Sequence, residues 1–283
     1  MKCFMDNTEN INNSVKIKSV LKNFICGLVI GSSMLVPGVS GGTTAIMLGI
    51  YDRLLSAVSN IFREFKKNIF FLIEVAFGGI IGVLLFSQFI LWLVEKWHLP
   101  MMYFFIGAIV GSIPMLLKKS KIMLKNFYNI IFALIGAGLV FAVGLLPKSR
   151  LTVVPSDFKG ALLLILCGII IAVALVLPGI STSHVLLVLG MYEAVWGSFK
   201  SMNIYYIFLL GIGVIIGTLL TAKITDKAMK RFPQQTFMAI VGFVAVSVFD
   251  IFPGVPIGID IIFCTLMAAL GFTAVFLTSK FAE

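Results

Sequence analysis

The sequence predicts an all-α polytopic membrane protein of two inverted-topology repeats, each a Pro-Gly-broken, re-entrant helix pair plus three transmembrane helices. Three observations carry this reading. The first is composition: 60% of the 283 residues are hydrophobic and 12% are charged. Soluble domains run at roughly 45–50% apolar and about 25% charged. The mean hydropathy of +1.09 agrees. So little charge cannot coat a water-soluble globule, which excludes an ordinary soluble enzyme, a solvated nucleic-acid binder and a disordered chain. The second observation is a series of apolar tracts near membrane-spanning length, and the third is an internal repeat.

Residues 1–18 are polar and expected in solution. Apolar tracts follow at about 24–36, 43–50, 69–94, 101–117, 127–146, 161–177, 185–199, 204–222, 236–252 and 257–278. Crossing a bilayer takes roughly 20 helical residues. Six tracts approach or meet that length. The tracts on either side of Pro37-Gly38 fall short, as does the tract after Pro178-Gly179. Proline lacks a backbone donor and clashes with the preceding turn, so a helix is expected to break at both pairs.

The two breaks are copies of one another. At an offset of 141, Cys26-Gly27 matches Cys167-Gly168, Pro37-Gly38 matches Pro178-Gly179, and Ser40 matches Ser181. Gly49, Tyr51 and Asp52 then match Gly190, Tyr192 and Glu193. The second half loses six residues, after which the offset is 135: Gly78 and Gly82 match Gly213 and Gly217, Gly107 matches Gly242, and Ser112 matches Ser247. This divides the membrane domain into repeat 1 (19–147), a linker (148–157) and repeat 2 (158–283). The spacing of Gly78/Gly82 and Gly213/Gly217 reads as close helix packing.

Charge sets the orientation. One hairpin plus three spans per half is an odd number of crossings, so the second half is inverted. With both termini in the cytoplasm, 17 of the 22 Lys and Arg fall inside, and Lys96, Lys148, Arg150, Lys159 and Lys200 fall outside. Membrane proteins collect Lys and Arg on the cytoplasmic side. The net charge of +10 therefore reads as orientation, with no nucleic-acid partner implied. Counting the broken regions as full spans leaves each half odd and still inverted, so charge does not separate the two counts.

Cys3, Cys26, Cys167 and Cys264 form no CxxC pair, and nothing reads as a zinc site or disulfide framework. The polar first residues, with Asp6 and Glu9, do not read as a cleavable signal peptide. No metal and no cofactor is expected.

Unwound backbone at membrane depth is tolerated where it is buried or lines a polar cavity. In inverted-repeat transporters, matched broken helices form the substrate site. The first break offers Pro37, Gly38, Ser40, Gly41, Gly42, Thr43 and Thr44. The exposed N–H groups of a helix restarting near Thr43 favour an anion. Gly41 and Gly42 permit close approach, and the hydroxyls add donors. The second break offers Pro178, Gly179, Ser181, Thr182, Ser183 and His184. The competing reading is a pair of serine-capped kinks.

Arg53 is the best single phosphate partner, because Ala194 stands at its matching position. Asp52 and Glu193 read equally as structural pairing and as substrate contacts. Glu74 reads as a proton-coupling carboxylate, a partner for Arg53, or a side chain reaching the interface. His184 stands where Thr43 stands in the first copy, and reads as a titratable donor or a hydrogen-bonded core histidine. His98, Asp250 and Asp260 fall near predicted outer ends.

The run Val36-Pro37-Gly38-Val39-Ser40-Gly41-Gly42-Thr43, followed by Gly49-Ile50-Tyr51-Asp52, resembles the signature of the bacterial polyprenyl-phosphate transporter family, PopT-like and formerly a domain of unknown function. Leu177-Pro178-Gly179-Ile180-Ser181, followed by Gly190-Met191-Tyr192-Glu193, resembles its second motif, with Thr182-Ser183-His184 departing from the expected Gly-Ser-type continuation. The resemblance spans about 20–280. It implies a flippase in the bacterial cytoplasmic membrane that returns undecaprenyl phosphate, or a related polyprenyl phosphate, from the outer to the inner leaflet for envelope polymer synthesis. The implied partners are that substrate and membrane lipid. The absence of a GxxxxGK[ST] motif leaves passive or ion-coupled transport. A small-anion transporter or channel is the alternative. An intramembrane enzyme has little support, since it needs a paired nucleophile and base or a metal cluster.

Overall fold

The computed structural model describes residues 2–34, 39–119, 128–146 and 157–281. Among the described residues every regular element is a helix. The first half runs α1 (Lys2–Ser33), α2 (Gly41–Met47), α3 (Tyr51–Ser59), α4 (Phe65–Lys96), α5 (His98–Lys119) and α6 (Tyr128–Gly144). The second runs α7 (Phe158–Val176), α8 (Thr182–Val188), α9 (Tyr192–Lys200), α10 (Ile204–Arg231), α11 (Pro233–Ile251) and α12 (Asp260–Phe281).

Local chemistry explains why the short helices begin and end where they do. Ser40 and Ser181 are N-caps in extended conformation, and their side chains accept from the Thr43 and His184 N–H groups. Such caps satisfy donors that a helix start leaves free. At the other ends, Gly49 and Gly190 adopt φ of 72° and 68°. The Gly49 N–H donates to Ile46 O and the Ile50 N–H to Ala45 O. The Gly190 N–H donates to Leu187 O and the Met191 N–H to Leu186 O. Both are Schellman endings, in which a left-handed glycine turns the chain while closing the last carbonyls. One seven-residue helix is thus capped and stopped twice by the same devices, and α3 and α9 follow at matching positions.

The longer helices pair through glycine. A Cβ on Gly27 would overlap the Val75 carbonyl, and one on Gly78 would overlap that of Phe24, so α1 and α4 lie backbone to backbone. Gly168 and Gly213 do the same for α7 and α10. The remaining pairs cross between halves: Gly107 and Gly271 bring α5 against α12, and Gly136 and Gly242 bring α6 against α11. Small residues at helix interfaces let backbones approach within van der Waals reach, the main attraction available in lipid. These contacts agree with the packing expected of Gly78 and Gly213.

Among the described residues six helical segments are long and apolar enough to cross a membrane: Phe65–Phe86, His98–Lys119, Phe158–Val176, Ile204–Arg231, Pro233–Ile251 and Asp260–Leu277. Phe158–Val176, which leads into the second break, is among them, so length alone permits α7 to cross. The outward faces carry large apolar side chains, including Leu84 at 71% exposure and Phe208 at 61%. A soluble protein rarely leaves contiguous apolar surface of this kind. The chain is a multi-pass membrane protein. Its main core gathers around α2, where Ala45, Ile46, Tyr51 and Leu55 pack with Met102, Ile109, Ile240 and Val244.

Candidate functional site at the two broken helices

The two breaks meet. Gly42 sits against Pro178 so closely that an added Cβ would lie 3.2 Å from the Pro178 Cα. The Gly179 N–H donates to Thr43 Oγ1 at 3.1 Å. Thr43 Oγ1 in turn lies 2.8 Å from Ser40 Oγ, which accepts from the Thr43 N–H at 3.1 Å. Gly179 has φ +81°, and a Cβ there would overlap the Phe243 carbonyl of α11. A residue with a side chain is strained at such a φ. One threonine, one left-handed glycine and one proline therefore join the two breaks.

A second bond reinforces the joint. Tyr51 donates its hydroxyl to the Val176 carbonyl at 3.1 Å. Val176 ends α7, so its carbonyl is one that the helix itself leaves unpaired. Thr44 Oγ1 lies 2.7 Å from Ser33 Oγ and 3.3 Å from the Ser40 carbonyl oxygen, tying α1 to α2.

The hydroxyls expected to receive an anion are thus engaged with one another in this conformation. Ser40, Thr43 and Thr44 are 8%, 1% and 3% exposed. Gly41 faces the Met34 side chain. The helix restarts at Gly41, ahead of the expected Thr43. Pro37 and Gly38 lie outside the described residues. In the second break Pro178 and Gly179 are buried, Ser181 caps α8, Thr182 is half-buried and Ser183 is exposed. His184 is half-buried, and its Nε2 is a buried atom with no hydrogen-bond partner among the described residues.

The charged candidates lie around this joint. Asp52 pairs with Lys119 of α5 at 2.5 Å, with both side chains about a third exposed. The Arg53 guanidinium stacks 4.8 Å from the centre of the Phe71 ring. Such stacking suits a cation whose charge remains available. Among the described residues Arg53 forms no ion pair. Its neighbourhood reaches the α3–α4 turn, where the hydrogen bond and charge of Lys67, followed by Arg53 and Arg63, hold the Glu64 carboxyl below its ordinary range. Glu74 accepts from Asn23 Nδ2 at 2.8 Å, so the partner found for it is an amide and not Arg53. Glu193 is exposed. Among the described residues no cluster of His, Cys, Asp or Glu is arranged to hold a metal.

Residues 30–257 match the family described as undecaprenyl phosphate translocase-like. The chain belongs to this family. Two relatives are each named polyprenyl-phosphate transporter. The one from Staphylococcus aureus is 33% identical over 261 residues, covering 87% of this chain and 90% of the relative. The one from Vibrio cholerae is 30% identical over 253 residues, covering 84% and 79%. No solved structure matches.

Two features of the site were not read from the sequence. Tyr51 stands out in the sequence only as a repeated residue, and nothing there marks it as the group that closes the end of α7. Asp226, buried in α10, accepts from Ser59 at 3.1 Å and from Lys230 at 2.6 Å, linking α3 to the second half. The signal available was an Asp four residues before a Lys at a helix end.

Proposed function

We propose that this chain translocates a polyprenyl phosphate, of the undecaprenyl type, from the outer to the inner leaflet of the bacterial cytoplasmic membrane. Its two halves act as inverted repeats, with re-entrant helices meeting at the joint, and both termini face the cytoplasm. The observation that carries the reading is the hydrogen bond from the Gly179 N–H to Thr43 Oγ1, because it makes the two breaks one structural unit.

The described conformation is the closed one. A phosphate oxygen is a stronger acceptor than a hydroxyl, since hydrogen bonds to ionised groups are roughly twice as strong. An arriving head group competes with Thr43 for the Gly179 N–H. It also releases the Ser40, Thr43 and Thr44 hydroxyls to donate outward. Pro37, Gly38, Gly41, Gly42 and Pro178 supply the backbone shape. Ser181, Thr182, Ser183 and His184 complete the second half of the site. Arg53 contributes charge. The halves then rock about the joint, exposing it to one leaflet at a time, while Asp52, Glu74 and Glu193 are the carboxylates available for pairing or ion coupling.

Depletion of the protein from its native cell tests the reading. Undecaprenyl phosphate accessible on the outer leaflet is expected to rise. An unchanged outer pool, with depletion verified, contradicts it.

A further inference from the structure

An apolar cavity of about 400 Å³ lies beside the joint. Its lining includes Gly41 and Gly42 of α2, Leu54 and Val58 of α3, and Leu72 and Ala76 of α4. Among the described residues two polar side chains, Tyr51 and Thr218, reach its wall, and the Tyr51 hydroxyl is already bonded to Val176. Water needs two to four polar partners to be held, so this space is not a water site. Its volume falls within the range of small-molecule sites, roughly 300–1,000 Å³. Met34 and Leu175, also in its lining, are 45% and 36% exposed, and Ala76 is exposed too, so the cavity reaches the apolar outer face.

We propose that this cavity binds the isoprene units nearest the phosphate of the polyprenyl substrate, with the rest of the chain leaving into lipid past Met34 and Ala76. The inference rests on the polyprenyl-phosphate reading above. Two observations select this occupant over a bulk acyl chain. The lining includes Gly41 and Gly42 of the break itself, so a chain seated there lies beside the joint that takes its head group. Arg53 adjoins the lining residue Leu54, and its stacking partner Phe71 adjoins the lining residue Leu72. Neither Arg53 nor Phe71 lines the cavity, but a cation with no ion pair among the described residues stands one residue along α3 from its wall, which complements an anionic head on an apolar chain.

The test uses the full chain in nanodiscs with farnesyl phosphate carrying a diazirine on its second isoprene unit. Photolysis followed by mass spectrometry is expected to place adducts on Leu54, Leu72 and Ala76. Ala76→Phe, entering from the exposed rim, is expected to cut the yield at least about tenfold, the scale of a pocket mismatched in apolar volume. Leu270→Phe, on the exposed face of α12, is expected to leave the yield unchanged. Leu72→Phe serves if Ala76→Phe does not assemble. Adducts spread over the outer faces of α6 and α12 overturn the proposal. So does equal labelling by a diazirine phosphatidylglycerol that excess farnesyl phosphate does not displace. Polyprenyl-phosphate flux is measured on the same preparations. Wild-type flux equal to that of Ala76→Phe refutes the cavity alone, whereas no wild-type flux refutes the functional reading.

Discussion

Thr43→Val probes the joint with the least change of shape. Valine matches threonine in volume but offers no acceptor. Thr43 is 1% exposed, so water does not replace what is lost. The substitution strands the buried Gly179 N–H and removes the hydroxyl beside Ser40. An unsatisfied buried donor costs about 1–3 kcal/mol. Interhelical hydrogen bonds in membrane proteins average about 0.6 kcal/mol and reach about 1.7. Together these place the loss at about 1–2 kcal/mol, a tilt of about 5–30-fold against the closed conformation. The assay has two arms. Thermal inactivation in detergent is expected at a lower temperature than wild type. Polyprenyl-phosphate flux in vesicles is expected to fall, since the same hydroxyl serves the head group. Thr43→Ser, which keeps the oxygen, is expected to restore most of both. Wild-type inactivation temperature and flux in Thr43→Val would refute the claim that this bond holds the two breaks together.

Three further outcomes follow from the same geometry. Tyr51→Phe removes the bond to the Val176 carbonyl and is expected to cost about 0.5–1.5 kcal/mol, read as a lowered thermal midpoint; an unchanged midpoint contradicts the closure of α7 by Tyr51. Gly49→Ala and Gly190→Ala each force a side chain into the left-handed region, at about 1–2 kcal/mol apiece. Equal losses are expected because the two turns are built alike, and a loss at one position alone argues against that equivalence. A double-mutant cycle on Asp52→Asn and Lys119→Met is expected to give a coupling of no more than about 1 kcal/mol, since the pair is partly exposed; a much larger coupling would mean the pair is dehydrated in the working state.

The local architecture was legible because it was written twice. Ser40 with Ser181, Gly49 with Gly190, and Tyr51 with Tyr192 repeat in register in the sequence, and these devices act within a few residues of chain; that Gly49 and Gly190 end one helix and the tyrosines open another is seen only in the fold. The shift of offset from 141 to 135 has two sources: the connection after α9 is two residues shorter than that after α3, and α10 reaches Gly213 four residues sooner than α4 reaches Gly78. What the sequence left open depends on distant partners. The cross-packing of α5 with α12 and of α6 with α11 joins glycines far apart in the chain, and only the matched Gly107 and Gly242 hinted at it. The commitment of Ser40, Thr43 and Thr44 to internal bonds was not visible either. A hydroxyl reads the same in sequence whether it caps a helix or waits for a ligand. Arg53 was singled out for its missing counterpart, yet its stacking on Phe71 needs the fold. At the matching positions Ala194 and Tyr206 replace this pair, and both pack in the second-half core.

The central claim is that the joined breaks carry a polyprenyl phosphate between leaflets. Purified protein in vesicles, with undecaprenyl phosphate followed by a leaflet-specific probe, tests this most directly. Wild-type protein is predicted to redistribute the lipid between leaflets within the assay, with slower redistribution by Thr43→Val. Redistribution by wild-type protein no faster than in protein-free vesicles would contradict the account.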